Sequence, residues 1–452
     1  MANVPDQVRH DIDEWTRPPF LRRVRIQGYK SIAVCDVTLQ PLTILVGRNG
    51  AGKSNFLDAL AFLRDMMDTS VSEAGKRRGG WSSIFCRTVP LPKIVFEIEA
   101  GFTCGPPYQR IFRNGHPPGV SPPDAIPDLQ GHSFVANYRV ELTNNQHSLP
   151  TIARESLEIV DEATGSMAGF EVDSGIITRF RSKLDSPPLP IAHSQELQAI
   201  SRLDHLLLGF IGIQPFIDLA DGLRFMGFYN FHPEAIRSAR KPLLGMMLEK
   251  DGSNLASVIE SLDEIDPDSL ERVQAYLSII NEDVEHFDVA RHGEYQTIQF
   301  RLRSALPTRL VFDASSMSDG TLRALAALMA AFQIHLPTGP TVIGIEEPET
   351  ALHPAAMRVL VDAMDEATQR TQVLLTTHSA DLLSGREVTP GLVLVVRSRN
   401  GQTHITPVDS ASRAIIQQEL YSLADLQRMD RLDLDEADLQ RQVHLGNGSE
   451  GR

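Results

Sequence analysis

The segment LTILVGRNGAGKSNFLDALAFL, Leu42–Leu63, restricts this chain more than any other. Leu42–Val46 is a nearly unbroken apolar run, as in a strand covered on both faces. Three glycines, Lys53 and Ser54 follow it. Beyond them Phe56, Leu57, Leu60, Phe62 and Leu63 recur at helical spacing, which predicts a helix over Asn55–Met67. A buried strand, a glycine turn and an amphipathic helix in succession demand a layered α/β arrangement.

The turn carries chemistry as well. Gly47, Gly52, Lys53 and Ser54 satisfy the spacing GxxxxGK[ST], in the strand-to-helix context that its mechanism needs. Glycines let backbone N–H groups converge on a cluster of phosphate oxygens without a Cβ in the way. The helix start adds its positive dipole end. Lys53 supplies a point charge for the β- and γ-phosphates, and Ser54 an oxygen for Mg²⁺. The expected nucleotide-contacting residues are therefore Gly47, Arg48, Asn49, Gly50, Ala51, Gly52, Lys53, Ser54 and Asn55. No NKxD-type segment that would read guanine is present, so ATP is the favoured nucleotide.

Three further segments offer complementary groups. VIGIEEPE places Glu346 and Glu347 at the end of a buried strand, the edge where ligands bind in parallel sheets. Adjacent strand residues face opposite ways, so the two acids take separate roles. Glu346 is expected to serve Mg²⁺ and Glu347 to polarise the attacking water. In LLTTHSADLL, His378 follows another buried strand and is placed to reach a γ-phosphate. In SSMSDGTLRALAAL, Ser318 and Gly320 open a helix, a second anion-binding corner. One chain with two such corners suggests that the second serves a neighbouring copy.

Elsewhere the pattern alternates as in antiparallel strands over Arg22–Ile26, Val34–Leu39, Lys93–Phe102, Val135–Leu142 and Glu155–Val160. Cys104–Gly131 is a loop rich in proline and glycine. Ser194–Ile280 reads as mainly helical, broken near GFYNFHPEAIRSARKP, and is taken as part of an insertion. TIQFRL and TRLVFDASS return to strand, and alternating strands and helices after residue 310 indicate a parallel sheet. The last residues, Gly446–Arg452, read as a loose tail.

Composition limits the alternatives. The formal net charge is -15, which argues against a surface coated in basic residues for nucleic acid. It leaves room for a local groove, with Arg22, Arg23, Arg25 and Lys30 in one cluster and Arg237, Arg240 and Lys241 in another. Cys35, Cys86 and Cys104 form no CxxC pair, so a disulfide framework or zinc site is not expected and a reducing cytoplasm fits. No signal peptide and no membrane span is read.

Taken together, the four segments resemble the ATP-binding-cassette ATPases: Walker A loop, signature, Walker B and switch histidine, in that order. GYKSI ahead of the loop is similar to the opening of RecF, SMC and OLD-type heads. SDGTLR and IEEPExxLHP resemble RecF and OLD-like ATPases, including the PtuA type of anti-phage defence. The resemblance implies an α/β fold, a P-loop NTPase of ABC type: a mixed sheet core with an antiparallel β layer and an inserted helical lobe. The implied divisions are an N-terminal part of the head over 1–103, an insertion over 104–304, a C-terminal part over 305–410 and a helical tail over 411–452. It also implies a head-to-head homodimer sandwiching ATP and Mg²⁺, with Lys53, Ser54, Glu346, Glu347 and His378 acting in cis and Ser318 and Gly320 in trans. The signature departs from LSGGQ, and Glu346 stands where an aspartate is usual. No glutamine is assigned to the Q-loop, Gln146 and Gln214 being unsupported candidates. The chain after His378 is short for the TOPRIM domain that OLD nucleases append. The function expected is an ATPase switch associated with double-stranded DNA that controls a separate nuclease effector in defence. A RecF-like repair clamp and an ATP-gated interaction protein without turnover are the alternatives.

Overall fold

In the computed structural model of this chain the residues described are 20–89, 93–104, 129–143, 151–182, 204–243, 247–304, 310–333, 339–385 and 387–448. Most of the expected loop Cys104–Gly131, Gln146 and the first part of the expected helical stretch from Ser194 lie outside them. The strands, in chain order, are β1 (Leu21–Tyr29), β2 (Ile32–Thr38), β3 (Leu42–Val46), β4 (Lys93–Thr103), β5 (Ser133–Thr143), β6 (Thr151–Asp161), β7 (Met167–Asp173) and β8 (Ile176–Ser182). They continue with β9 (Gly227–Tyr229), β10 (Val284–His292), β11 (Tyr295–Leu302), β12 (Leu310–Asp313), β13 (Val342–Glu346), β14 (Gln372–Thr377), β15 (Val393–Arg399) and β16 (Gln402–Pro407).

Two compact units divide the chain, one formed by residues up to 38 and 59–224, the other by 39–58 and 225 onward. The boundary differs from the expected single insertion over 104–304: β4 to β8 join the sheet of β1 and β2 in the first unit, whereas β9 to β12 lie in the second.

The first unit holds a seven-stranded antiparallel sheet in the order β2-β1-β4-β5-β6-β7-β8. Strand alternation buries one face, with Val24, Ile26, Phe96, Ile98, Tyr138 and Val140 all at or near zero exposure. The opposite face is polar and neutralised. Arg25, Glu97 and Arg139 stand in register across β1, β4 and β5. Arg25 donates to Glu97 at 3.0 Å, Arg23 pairs with Asp36 at 2.5 Å and Arg22 with Glu162 at 3.2 Å. The arginine cluster read near the chain start is thus matched by carboxylates, and its groove-lining potential for a polyanion is correspondingly reduced. In the other cluster Arg237 pairs with Glu234 at 2.6 Å and Lys241 with Glu294 at 2.8 Å.

One acid of this unit is fully buried. Glu155 on β6 accepts hydrogen bonds from the Tyr138 hydroxyl at 2.8 Å and from the N–H groups of Leu207 and Leu208 at 2.7 and 3.0 Å. Burial outweighs these bonds and raises its pKa from 4.5 to about 7. As pH climbs through that interval the unfolded chain sheds this proton while the folded one keeps it, so the stability tied to the group is present below about 4.5 and lost by about 7. The loss is on the order of 3 kcal/mol. Glu155→Gln should flatten the decline in urea midpoint between pH 5 and pH 8; a variant that declines as steeply as the parent would show the acid ionised throughout.

The second unit is built on a six-stranded sheet in the order β16-β15-β3-β14-β13-β9. β3, β13, β14, β15 and β9 run parallel, and only β16 pairs antiparallel. Every residue of β3 and β14 is buried, as their apolar runs predict. Glu346 pairs with Thr376, Thr376 with Leu45 and Thr377 with Val46. This register brings the C-terminal ends of β3, β13 and β14 to one edge.

Several expectations change here. Residues 227–229, read as a break in an inserted helical region, form β9 and extend this sheet beside β13. The helices Leu255–Ile265 and Pro267–Ile280, expected in a separate lobe, share one core with the sheet. Val258, Leu262 and Leu277 are buried with Leu325, Leu328 and Ile345. Apolar faces this extensive are stable only when covered, and the helix Asp319–Phe332 and the strands cover them. β10, β11 and β12 form a small antiparallel sheet, of which β10 was not read. At the C-terminus Gly446–Gly448 belong to the helix Glu436–Gly448 instead of a loose tail, and 449–452 lie outside the described residues. Among the described residues no helix is long and apolar enough to cross a membrane.

Candidate nucleotide site

The phosphate loop leaves the sheet at Gly47, whose N–H donates to the Thr377 carbonyl at 3.2 Å. A Cβ on Gly47 would lie 2.2 Å from the Val396 carbonyl oxygen. Gly50 and Gly52 hold φ of 77° and 105°, in the left-handed region. A Cβ on Gly52 would also meet the Thr403 hydroxyl at 1.9 Å, a hydroxyl that donates to the Ala51 carbonyl at 2.9 Å. Gly47 and Gly52 are thus demanded by the packing of β15 and β16 against the loop. The following helix runs Lys53–Asp68, two residues earlier at its start than periodicity suggested.

Lys53 is 5% exposed, and its ammonium donates to the carbonyls of Gly47 at 2.8 Å and Arg48 at 3.2 Å. Glu347 Oε1 stands 3.7 Å from it. Burial pulls the Lys53 pKa down, while Glu347 and Glu349 oppose the shift. Ser54 donates its hydroxyl to Glu346 at 2.6 Å. A hydroxyl and a carboxylate from different elements, side by side, are the oxygen donors that Mg²⁺ takes, so these residues fit the ion. Arg48 points to a different partner, Asp430, which also receives Arg397 at 2.8 Å.

The chain departs from strand geometry at Glu347, where φ is 43°. Its N–H donates to the Thr376 carbonyl at 3.0 Å, and its Oε1 lies 3.2 Å from His378 Nδ1. The two adjacent acids thus meet different groups, Glu346 the loop serine and Glu347 the lysine and the histidine. Gly47, Lys53, Ser54, Glu346, Glu347 and His378 converge at one sheet edge.

Ser318 and Gly320 sit at the start of the helix Asp319–Phe332. The Ser318 hydroxyl caps it, accepting the Thr321 N–H at 3.2 Å. Ser318 is exposed and Gly320 buried. A Cβ on Gly320 would lie 2.4 Å from the Ala351 carbonyl, so this glycine also serves the packing of the turn after Glu347. Arg237 donates to the Met317 carbonyl at 2.9 Å and pairs with Asp319, holding the corner from outside. Sequence reasoning passed over Thr403, Asp430, Thr377 and Glu349. The last had a signal, a third acid in EEPE; the others had none.

The sequence matches the family described as "AAA domain, putative AbiEii toxin, Type IV TA system" over residues 42–119 and 234–384, slightly more than half of the chain. It is 22% identical over 399 residues to the Old nuclease of Escherichia phage P2, covering 84% of this chain and 60% of that protein. It is 37% identical over 54 residues to the DNA replication and repair protein RecF of Arthrobacter sp. (strain FB24), which is 12% of this chain and 14% of that one. The chain therefore spans 60% of the length of the first of these relatives and 14% of the second, less than two thirds of either. Among solved structures, the SmcHead bound to the C-winged helix domain of ScpA is 13% identical with a TM-score of 0.42, covering 87% of this chain and 99% of that one. The SMC head domain from Thermotoga maritima is 13% identical with a TM-score of 0.36, covering 86% and 99%. A P-loop between a buried strand and a helix, acids closing the neighbouring strand and the family match lead to one conclusion: this chain belongs to the AAA domain, putative AbiEii toxin, Type IV TA system family.

Proposed function

We propose that the protein binds ATP with Mg²⁺ at this sheet edge and hydrolyses it to ADP and phosphate in a dimer whose second copy completes the site. The observation that carries the reading is the meeting of Lys53, Ser54, Glu346, Glu347 and His378 at the ends of three parallel strands. The loop N–H groups and Lys53 hold the phosphates, and Ser54 and Glu346 would hold the ion. Bound there, Mg²⁺ would supply charge neutralisation at the phosphate oxygens. Glu347 accepts a proton from the attacking water as the water oxygen bonds to the terminal phosphorus and the bond from that phosphorus to its bridging oxygen breaks, releasing ADP with the electron pair on that oxygen. His378, 3.2 Å from that carboxylate, orients it.

Ser318 stands exposed on a helix start; its Oγ accepts the Thr321 N–H at 3.2 Å and lies 2.8 Å from the Thr321 hydroxyl, which accepts from Asn281 and can donate to Ser318, leaving the serine proton for a phosphate. In a two-copy arrangement that proton and the Gly320 N–H meet the γ-phosphate held by the other copy's Lys53 loop. Removing one such donor raises the barrier by about 3 kcal/mol, roughly a hundredfold in rate. Ser318→Ala should therefore turn over ATP at about a hundredth of the parent rate. Mixed with Lys53→Ala it should regain one working site. A mixture as inactive as its components, or a parent whose specific activity is unchanged on dilution to monomer, would exclude the shared site.

We further propose, from kinship with the Old nuclease and RecF, that the ATP cycle reports on double-stranded DNA and governs a separate nuclease in defence. ATPase assays with and without duplex ends, together with a search for a co-purifying nuclease, test this; no stimulation and no partner would remove its support.

A further inference from the structure

Glu349 lies two residues beyond Glu347 and has no part in the reading above. It is 2% exposed. Its Oε1 accepts the hydroxyl of Thr377, the residue that precedes His378. Its Oε2 is buried and has no hydrogen-bond partner among the described residues. A side chain present only for packing is better served by an apolar group, because a buried unpaired acceptor is costly.

The Thr377 bonds show what the acid does. The same hydroxyl accepts the Ser379 N–H at 2.9 Å, so the residues on both sides of His378 are tied to Glu349, one directly and one through Thr377. The Thr377 carbonyl accepts the Gly47 N–H at 3.2 Å, which links the same residue to the phosphate loop. At the other end a tight turn fixes Glu349 relative to Glu347: Thr350 N–H donates to the Glu347 carbonyl at 3.1 Å and Leu352 N–H to the Glu349 carbonyl at 2.9 Å. One buried carboxyl thus joins the base-bearing turn, the histidine turn and the entry of the phosphate loop.

We infer that Glu349 is a positioning residue for hydrolysis, acting through the Thr377 hydroxyl to hold His378 at Glu347. The inference rests on the ATPase reading above. Displacing a reacting group by about an ångström costs up to a hundredfold in rate. Thr377→Val and Glu349→Ala should each lower kcat by about ten- to a hundredfold, with ATP Kd and KM within about twofold of the parent. Thr377→Ser, which restores the hydroxyl, should recover the parent kcat. The pair Glu349→Ala and Thr377→Val together should be no slower than the slower single variant, because both break one bond. Parent kcat in Thr377→Val, additive losses in the double variant, or loss of ATP binding in step with kcat would each overturn it. Should Glu349→Ala fail to fold, the valine and serine variants at 377 carry the test. Glu347→Gln separates this from the reading beneath it: parent turnover there defeats the ATPase assignment itself, whereas an inactive Glu347→Gln beside a fully active Thr377→Val defeats only the role of Glu349.

Discussion

Replacing Lys53 with alanine is expected to weaken ATP binding by about a hundredfold or more, ~3 kcal/mol. The side chain is already buried and anchored by the carbonyls of Gly47 and Arg48 at 2.8 and 3.2 Å. Little ordering entropy therefore remains to be lost when a phosphate arrives. Its charge also offsets the carboxylates around it, Glu347 at 3.7 Å and the buried Glu349. Without it a triphosphate would meet those acids uncompensated, an arrangement repulsive in a site of low dielectric. Calorimetric titration of the full chain with ATP and Mg²⁺ measures the change. An affinity within twofold of the parent would mean that the loop holds no phosphate.

Glu347→Gln is the complementary experiment, and its effect falls on turnover. An amide of the same shape keeps the contacts near His378 and Lys53 but cannot take a proton from water. Losing a general base lowers kcat by about a hundred- to ten-thousandfold. ATP affinity should hold or improve, since a negative charge has left the neighbourhood of the phosphates. ATP-bound protein then accumulates, and if two copies share each nucleotide the dimer accumulates with it by mass action. Light scattering behind size exclusion, with ATP present, reads the dimer fraction, and phosphate release reads kcat. Hydrolysis at the parent rate would show that another group activates the water.

Much of the nucleotide edge was legible in residue order because its pieces are local. Short apolar runs mark strands buried on both faces: Leu42–Val46 is nearly all apolar, and Val342–Ile345 and Val373–Leu375 form the apolar parts of Val342–Glu346 and Gln372–Thr377. Gly47 to Ser54 carries its spacing within one turn. By contrast β9 is three residues long, too short to show a period, and its membership of the sheet depends on pairing with β13. The helices over 255–280 show an apolar face but not what covers it, which is why an inserted lobe and a shared core read alike in sequence.

The sequence by itself determined that a phosphate loop, two strand-end acids, a histidine and a capped helix start occur in one chain, because each is set by spacing over a few residues. Only the tertiary structure decided which of them meet. Thr377 reaches Glu349 across 28 positions, Thr403 reaches Ala51 across 352, and Asp430 reaches Arg48 across 382. Such partners are chosen by the register of parallel strands and by the need of buried polar groups for hydrogen bonds, and neither requirement leaves a local trace in the residues that satisfy it.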